Sequence, residues 1–167
     1  YEEKDLIETK KDFLEIGSFE GISALYVLEN YPNINLTCVD AWNAETDGNQ
    51  NFNIKLVEKN FNTNIKKYKK RIKKIKNYSK VFFLQNKKKF DIIYVDGSHK
   101  AKDVFDDCVS SWKILKKNGL LILDDFFWKE YNDIKDNTAY GISKFLMLTK
   151  SFEIIKLSKY QLFIKKI

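Results

Sequence analysis

The chain is poor in several residue types, and each scarcity removes a class of answer. Cysteine occurs twice, at Cys38 and Cys108, too few for a disulfide framework. No apolar run approaches the ~20 residues that cross a bilayer. Nothing at the start reads as a secretory signal. There are no internal repeats, and no stretch has the composition of a linker. Apolar residues nevertheless make up 44% of the chain, which excludes disorder. At 167 residues there is enough chain for one self-sufficient core and no room for a second domain. The expectation is one domain over 1–167, soluble, reduced and cytoplasmic.

Arginine is almost absent. Of 30 basic residues only Arg71 is arginine, although the formal charge is +7. Eight basic and no acidic residues fall within 66–76 (KKYKKRIKKIK), leaving 22 basic against 23 acidic residues elsewhere. Proteins that read bases rely on arginine for bidentate contacts, so a nucleic-acid surface is disfavoured. With 15 Asn and 18 Ile, the lysine excess matches the bias of an AT-rich genome.

Hydrophobic patterning gives alternating strands and helices. Strands are expected at 13–16, 36–39, 71–76, 91–95 and 120–123, and a closing pair at 152–157 and 160–164. Helices are expected around Ile22 to Leu28, stopped by Pro32, and around Phe52 to Phe61. A polar loop, 43–51, precedes the second of these. The segment Val81 to Leu84 has strand propensity but lies only about six residues before 91–95. A parallel pair needs a crossover of a dozen or more residues, so 79–86 is assigned as the crossover helix after a strand at 71–76. Further helices run from Val104 to Leu115, closed by Asn118-Gly119, and around Ile142 to Leu146. Ser158-Lys159 is a hairpin-length link. Such alternation predicts a doubly wound, mostly parallel α/β sheet with a C-terminal antiparallel hairpin. Ligands would bind at the carboxyl ends of its strands.

Carboxylates recur at those ends: Asp40, Asp96, and the pair Asp124-Asp125. Gly17-Ser18-Phe19-Glu20-Gly21 joins the first strand to the first helix. It lacks the G-x-G-x-x-G spacing of a pyrophosphate site, and it lacks the lysine of a P-loop. An acid about 20 residues further on, Asp40, suits a ribose diol. Together these features point to a nucleoside ligand without a pyrophosphate.

Four segments, LEIGSFEGIS, CVDAW, FDIIYVDGSH and GLLILDDF, resemble class I S-adenosylmethionine-dependent methyltransferases. The closest likeness is to small metal-dependent O-methyltransferases of the catechol and macrolide-sugar types. The resemblance runs from about Phe13 to the C-terminus and implies a Rossmann-like seven-stranded sheet of order 3-2-1-4-5-7-6. It places Glu15, Gly17, Ser18 and Gly21 on the nucleotide-side loop, Phe19 and Ser23 at the methionine end, and Asp40 on the ribose hydroxyls. Ser79 falls beside the adenine, although the Asn77-Tyr78-Ser79 segment departs from the glycine usual there. Trp42 either stacks nearby or packs in the core. Asp96, also beside the cofactor, would join Asp124 and Asp125 as ligands of Mg²⁺ or another divalent cation. An all-oxygen set of this kind suits Mg²⁺ and not structural zinc. His99, the one histidine, occupies the general-base position three residues after Asp96, and its ordinary pKa near ~6.5 suits that work.

The resemblance implies methylation of a hydroxyl, most naturally on a sugar, glycan or other polyol. One alternative is an RNA or DNA methyltransferase using 66–76. The chain has VDGSH where amino-group methylation of bases favours an Asn/Asp-Pro-Pro-Tyr/Phe motif. Another is an S-adenosylmethionine-binding module without activity, against which the full set Asp96, His99, Asp124 and Asp125 argues. Relatives cover the acceptor with N-terminal helices, whereas here about twelve residues, without an initial Met, precede the first strand. Either further residues precede it, or the site is open to a large acceptor, or a partner in a homo-oligomer supplies the lid. Phe126, Phe127, Trp128, Tyr131 and Tyr140 would form either an acceptor wall or packing beneath the loop.

Overall fold

The computed structural model describes residues 7–43, 52–129, 131–158 and 160–167. Most of the expected polar loop at 43–51, and Lys159 of the expected hairpin link, lie outside the described residues. Seven strands form one sheet: β1 (Asp12–Ile16), β2 (Asn35–Asp40), β3 (Ile72–Lys76), β4 (Phe90–Val95), β5 (Leu115–Leu123), β6 (Phe152–Leu157) and β7 (Leu162–Lys166). Their order is β3-β2-β1-β4-β5-β7-β6, as the resemblance implies. The first five strands run parallel, and β7 lies antiparallel to both β5 and β6. Five helices connect them: α1 (Ile22–Asn30), α2 (Ile54–Asn64), α3 (Ser79–Gln85), α4 (Ala101–Ile114) and α5 (Thr138–Leu148). None of the described helices is long and apolar enough to cross a membrane.

The two-residue period of the strands divides the core. Phe13, Ile92, Ile122 and Phe163 face one side, with Ala24 and Leu28 of α1 and Phe61 of α2. Their neighbours Leu14, Ile93, Leu121 and Ile164 face the other, with Phe82 of α3, Cys108 of α4 and Phe145 of α5. Both faces are therefore covered, which is why the central strands read as continuous apolar runs.

The assignment of 79–86 as a crossover helix holds, as α3. Boundaries shift at several elements, and two of the shifts have a visible physical cause. Leu115 continues the helical spacing of Cys108 and Trp112, yet α4 stops at Ile114, and Leu115 pairs with Phe90 as the first residue of β5. Asn118 takes a left-handed φ of 59°, and a register shift between Phe90 and Ile92 absorbs the irregularity. Asn118-Gly119 thus bends a strand and does not close a helix. The last strand begins at Leu162, not at 160, because Ser158 and Gln161 bond each other across the turn at 2.9 Å.

The lysine-rich strand β3 is a sheet edge, as expected. Two of its lysines, Lys74 and Lys76, pair with Glu58 at 2.5 and 2.6 Å, and Lys67 in the turn before the strand pairs with Glu29 at 2.9 Å. Arg71 donates to the carbonyls of Leu28, Tyr31 and Ile34 at the end of α1 and just beyond.

Candidate functional site

The parallel register sets the site. Ile16 lies opposite Val95, and Val95 opposite Leu123, so Gly17, Asp96 and Asp124 emerge side by side. The backbone ladder continues one residue past each strand. Gly17 N–H donates to Val39 O (2.9 Å), Asp96 N–H to Ile16 O (2.8 Å), and Asp124 N–H to Val95 O (3.0 Å). At the opposite edge, Asp12 and Asp91 are paired with Lys116, and Asp12 also with Lys88. At the carboxyl edge, acids face one another.

Gly17 adopts φ +82°, and a Cβ there would lie 1.8 Å from the Asp96 carbonyl oxygen, so no other residue fits. The loop that follows is built around two acids. Asp40 Oδ2 accepts the backbone N–H groups of Ser18 and Phe19, both at 2.9 Å, and its Oδ1 accepts that of Trp42 at 2.7 Å. Glu15 is 1% exposed and accepts from Ser18 Oγ and Ser23 Oγ, each at 2.6 Å, and from Cys38 Sγ at 3.1 Å. Burial raises the Glu15 pKa, and the three donors partly oppose that rise.

Several assigned residues thereby acquire definite surroundings. Ser23, expected at a ligand carboxylate, already donates to Glu15. Trp42 is 3% exposed and packs on Phe61 with ring centroids 4.7 Å apart. It therefore resolves as core, and its indole offers no free face for stacking. Phe19 is exposed on the loop and meets the Phe52 ring edge-on at 5.0 Å. Gly21, at φ +76°, sits against Phe61.

Ser79 opens α3 and hydrogen-bonds to Asp107 on α4. Sequence reasoning missed Asp107. It is only 6% exposed, and burial raises its pKa to about 7. Its Oδ2 would lie 3.7 Å from a Cβ placed on Gly97. The signal was present: Val104, Cys108 and Ser111 mark the buried stripe of α4, and Asp107 falls on it.

Asp96, His99 and Asp125 converge, each offering a ligand atom within 4.8 Å of the others. His99 Nε2 lies 2.9 Å from Asp125 Oδ2, and the imidazole stacks on Trp128 with centroids 4.2 Å apart. Asp125 reaches this position through a left-handed φ of 55°. Asp124, the third member of the expected trio, lines the same recess as Asp96 and Asp125. Asp124 is held by Tyr94 and Gln161: it accepts a short bond from the Tyr94 hydroxyl and another from Gln161 Nε2 at 2.8 Å. Tyr94 also lies 3.1 Å from Asp96 Oδ2. Neither Tyr94 nor Gln161 carries a sequence signal for this role, because their meeting with Asp124 is set by the pairing of β4, β5 and β7.

The Asp96 pKa is raised to about 8 by burial and by repulsion from Asp124 and Asp125. The carboxylates of this arrangement fit a divalent cation, whose charge would relieve that repulsion, with the imidazole beside them placed to accept a proton. An all-carboxylate set suits Mg²⁺ better than zinc.

Comparison with known proteins gives a consistent outcome. Residues 14–126 match the family described as "Methyltransferase domain". A search of curated protein sequences finds no match. Among solved structures, the chain is similar to an O-methyltransferase from Bacillus cereus in complex with S-adenosylhomocysteine (SAH). Identity is 16% and the TM-score 0.69, covering 96% of this chain and 74% of that one. A protein from Staphylococcus aureus proposed to be a caffeoyl-CoA O-methyltransferase is 18% identical with TM-score 0.71, covering 98% and 80%. A protein from Clostridium thermocellum proposed to be an rRNA methylase is 10% identical with TM-score 0.70, covering 98% and 94%.

Proposed function

Because the chain belongs to the methyltransferase domain family, S-adenosylmethionine-dependent enzymes of the class I fold, we propose that it methylates a hydroxyl group with assistance from a divalent cation. The observation that carries this reading is the convergence of Asp96, His99 and Asp125 beside the glycine loop. The residues that would hold the cofactor are those of the Gly17 to Gly21 loop, with Asp40 serving the ribose, Phe19 and Ser23 the methionine end, and Ser79 the adenine. Glu15, Ser18 and Trp42 shape that loop from beneath.

The residues that would hold Mg²⁺ are Asp96 and Asp125, with Asp124 next to them at the end of β5. The ion would supply Lewis acidity to a chelating acceptor. His99 accepts the proton of the acceptor hydroxyl, and the His99–Asp125 contact orients the ring and stabilises its charged form. The hydroxyl oxygen then attacks the sulfonium methyl in line. The carbon–oxygen bond forms as the sulfur–carbon bond breaks, releasing SAH. Holding oxygen and methyl in line is the main service of the fold.

The acceptor class is a sugar, glycan or other polyol. A nucleic-acid acceptor has the Clostridium likeness in its favour, but the pairing of Lys67, Lys74 and Lys76 with Glu29 and Glu58 opposes it. Calorimetry with SAH tests the cofactor, with binding expected and weakened in Asp40→Ala. Activity surviving EDTA would remove the metal from the reaction. Tight, salt-resistant retention of RNA or DNA on a filter would favour the nucleic-acid acceptor instead.

A further inference from the structure

A cleft of about 460 Å³ opens between the start of α4, the 3-10 turn Ile134–Asp136 and the start of α5. Four lysines line it, Lys100, Lys102, Lys135 and Lys144, with one lining carboxylate, Asp136, and Lys102 also pairs with Asp106 at 2.9 Å. Phe105 and Tyr140 supply aromatic surface, and Lys144 lies 4.9 Å from the Phe105 ring centre.

The walls of the cleft are fixed by the fold. Gly141 lets α5 press on α4: a Cβ there would lie 2.2 Å from the Ala101 carbonyl oxygen. Asn137, 3% exposed, staples the turn. Its side chain donates to the carbonyls of Tyr131 (2.8 Å) and Asp133 (2.9 Å) and accepts from Tyr131 N–H (3.1 Å).

The cleft also adjoins the reaction centre. Lys100 directly follows His99, and Tyr131 meets Trp128 edge-on at 6.2 Å while Trp128 stacks on His99. A molecule with its hydroxyl at His99 would pass the Trp128 ring and reach the lysines.

We propose that this cleft binds a nucleoside diphosphate group carried by the acceptor. Clustered ammonium groups select phosphates, and flanking aromatic rings select a planar base. The assignment rests on the reading of His99 as the centre where the acceptor hydroxyl reacts, and it names the acceptor as a nucleotide-linked sugar or polyol.

The test is calorimetry with SAH-saturated protein, titrated separately with UDP, ADP, uridine and pyrophosphate. UDP or ADP should saturate with a Kd below about 1 mM and bind at least about tenfold more tightly than uridine or pyrophosphate. The exposed-site variant Lys102→Glu/Lys144→Glu should weaken nucleotide binding by at least about tenfold and leave SAH affinity unchanged. Tyr140→Ala should weaken UDP and leave pyrophosphate as it was. The proposal is overturned by nucleotides that fail to saturate, by nucleotides that bind no better than pyrophosphate, or by affinity indifferent to the charge reversal. Failure of SAH to bind would instead strike the methyltransferase reading, while the nucleotide titrations could still succeed.

Discussion

The indole nitrogen of Trp42 donates to the Phe19 carbonyl at 2.9 Å, and both residues hold left-handed backbone, with φ 40° and 44°. Two strained loop residues are thus tied across the ends of β1 and β2. Non-glycine residues in this region cost about 1 kcal/mol or more each, so the bond and the Asp40 acceptor must hold them there. Trp42→Phe keeps the ring packed on Phe61 but removes the donor. It should lower stability by about 1 kcal/mol and weaken SAH binding several-fold, read by chemical denaturation and calorimetry. Unchanged SAH affinity would show that the tie does not shape the cofactor loop.

Glu15 gathers three donors at a buried position. Glu15→Ala leaves the hydroxyls of Ser18 and Ser23 without their acceptor and should destabilise by about 3 kcal/mol. Glu15→Gln keeps the shape and one acceptor oxygen, so its cost should be the smaller. Equal midpoints in urea for the two variants would contradict this account.

Asp107 predicts a pH dependence of stability. Its folded pKa is raised from the ordinary 3.8 to about 7. The folded state therefore binds the proton more tightly, and stability is lost as pH rises from near the unfolded value through about 7. Asp107→Asn removes that loss and should be the more stable protein at pH 8, by on the order of 4 kcal/mol. The gain should shrink towards pH 4. Thermal melts of both proteins across that range would reveal a gain independent of pH, which would refute the burial argument.

His99→Gln should reduce methyl transfer by about 10²- to 10⁴-fold while leaving SAH affinity near wild type. Asp125→Asn should lower the rate as well, because it removes the charge beside the imidazole. A His99→Gln enzyme with full single-turnover activity would require another base.

Much of this site could be read from the sequence because strand ends are marked twice, by the stop of an apolar run and by the carboxylate that follows. Asp40, Asp96, Asp124 and Asp125 were found that way. The side-chain directions were not legible. Asp124 and Asp125 are adjacent, yet a left-handed φ at Asp125 sends one carboxylate to His99 and the other to Tyr94 and Gln161. Gln161 reaches Asp124 only through the antiparallel register of β7 on β5, a long-range fact. Leu115 failed for a related reason: its helical spacing is genuine, but pairing with Phe90 overrides it. Asp107 was overlooked because acids are normally read as solvent-facing, and only the stripe of α4 reveals its burial.

The contact between Gly17 and the Asp96 carbonyl leaves no slack between the first strand's loop and the fourth strand's end. The half of the site assigned to the cofactor and the half assigned to the cation cannot drift independently, and a substitution in one is transmitted to the other as steric displacement. The lysine cleft is lined by α4, α5 and the turn before α5, and no residue of the glycine loop lines it. Selection can therefore rework the acceptor side residue by residue while the cofactor side stays put, a division that lets one small scaffold change its customers without changing its reagent.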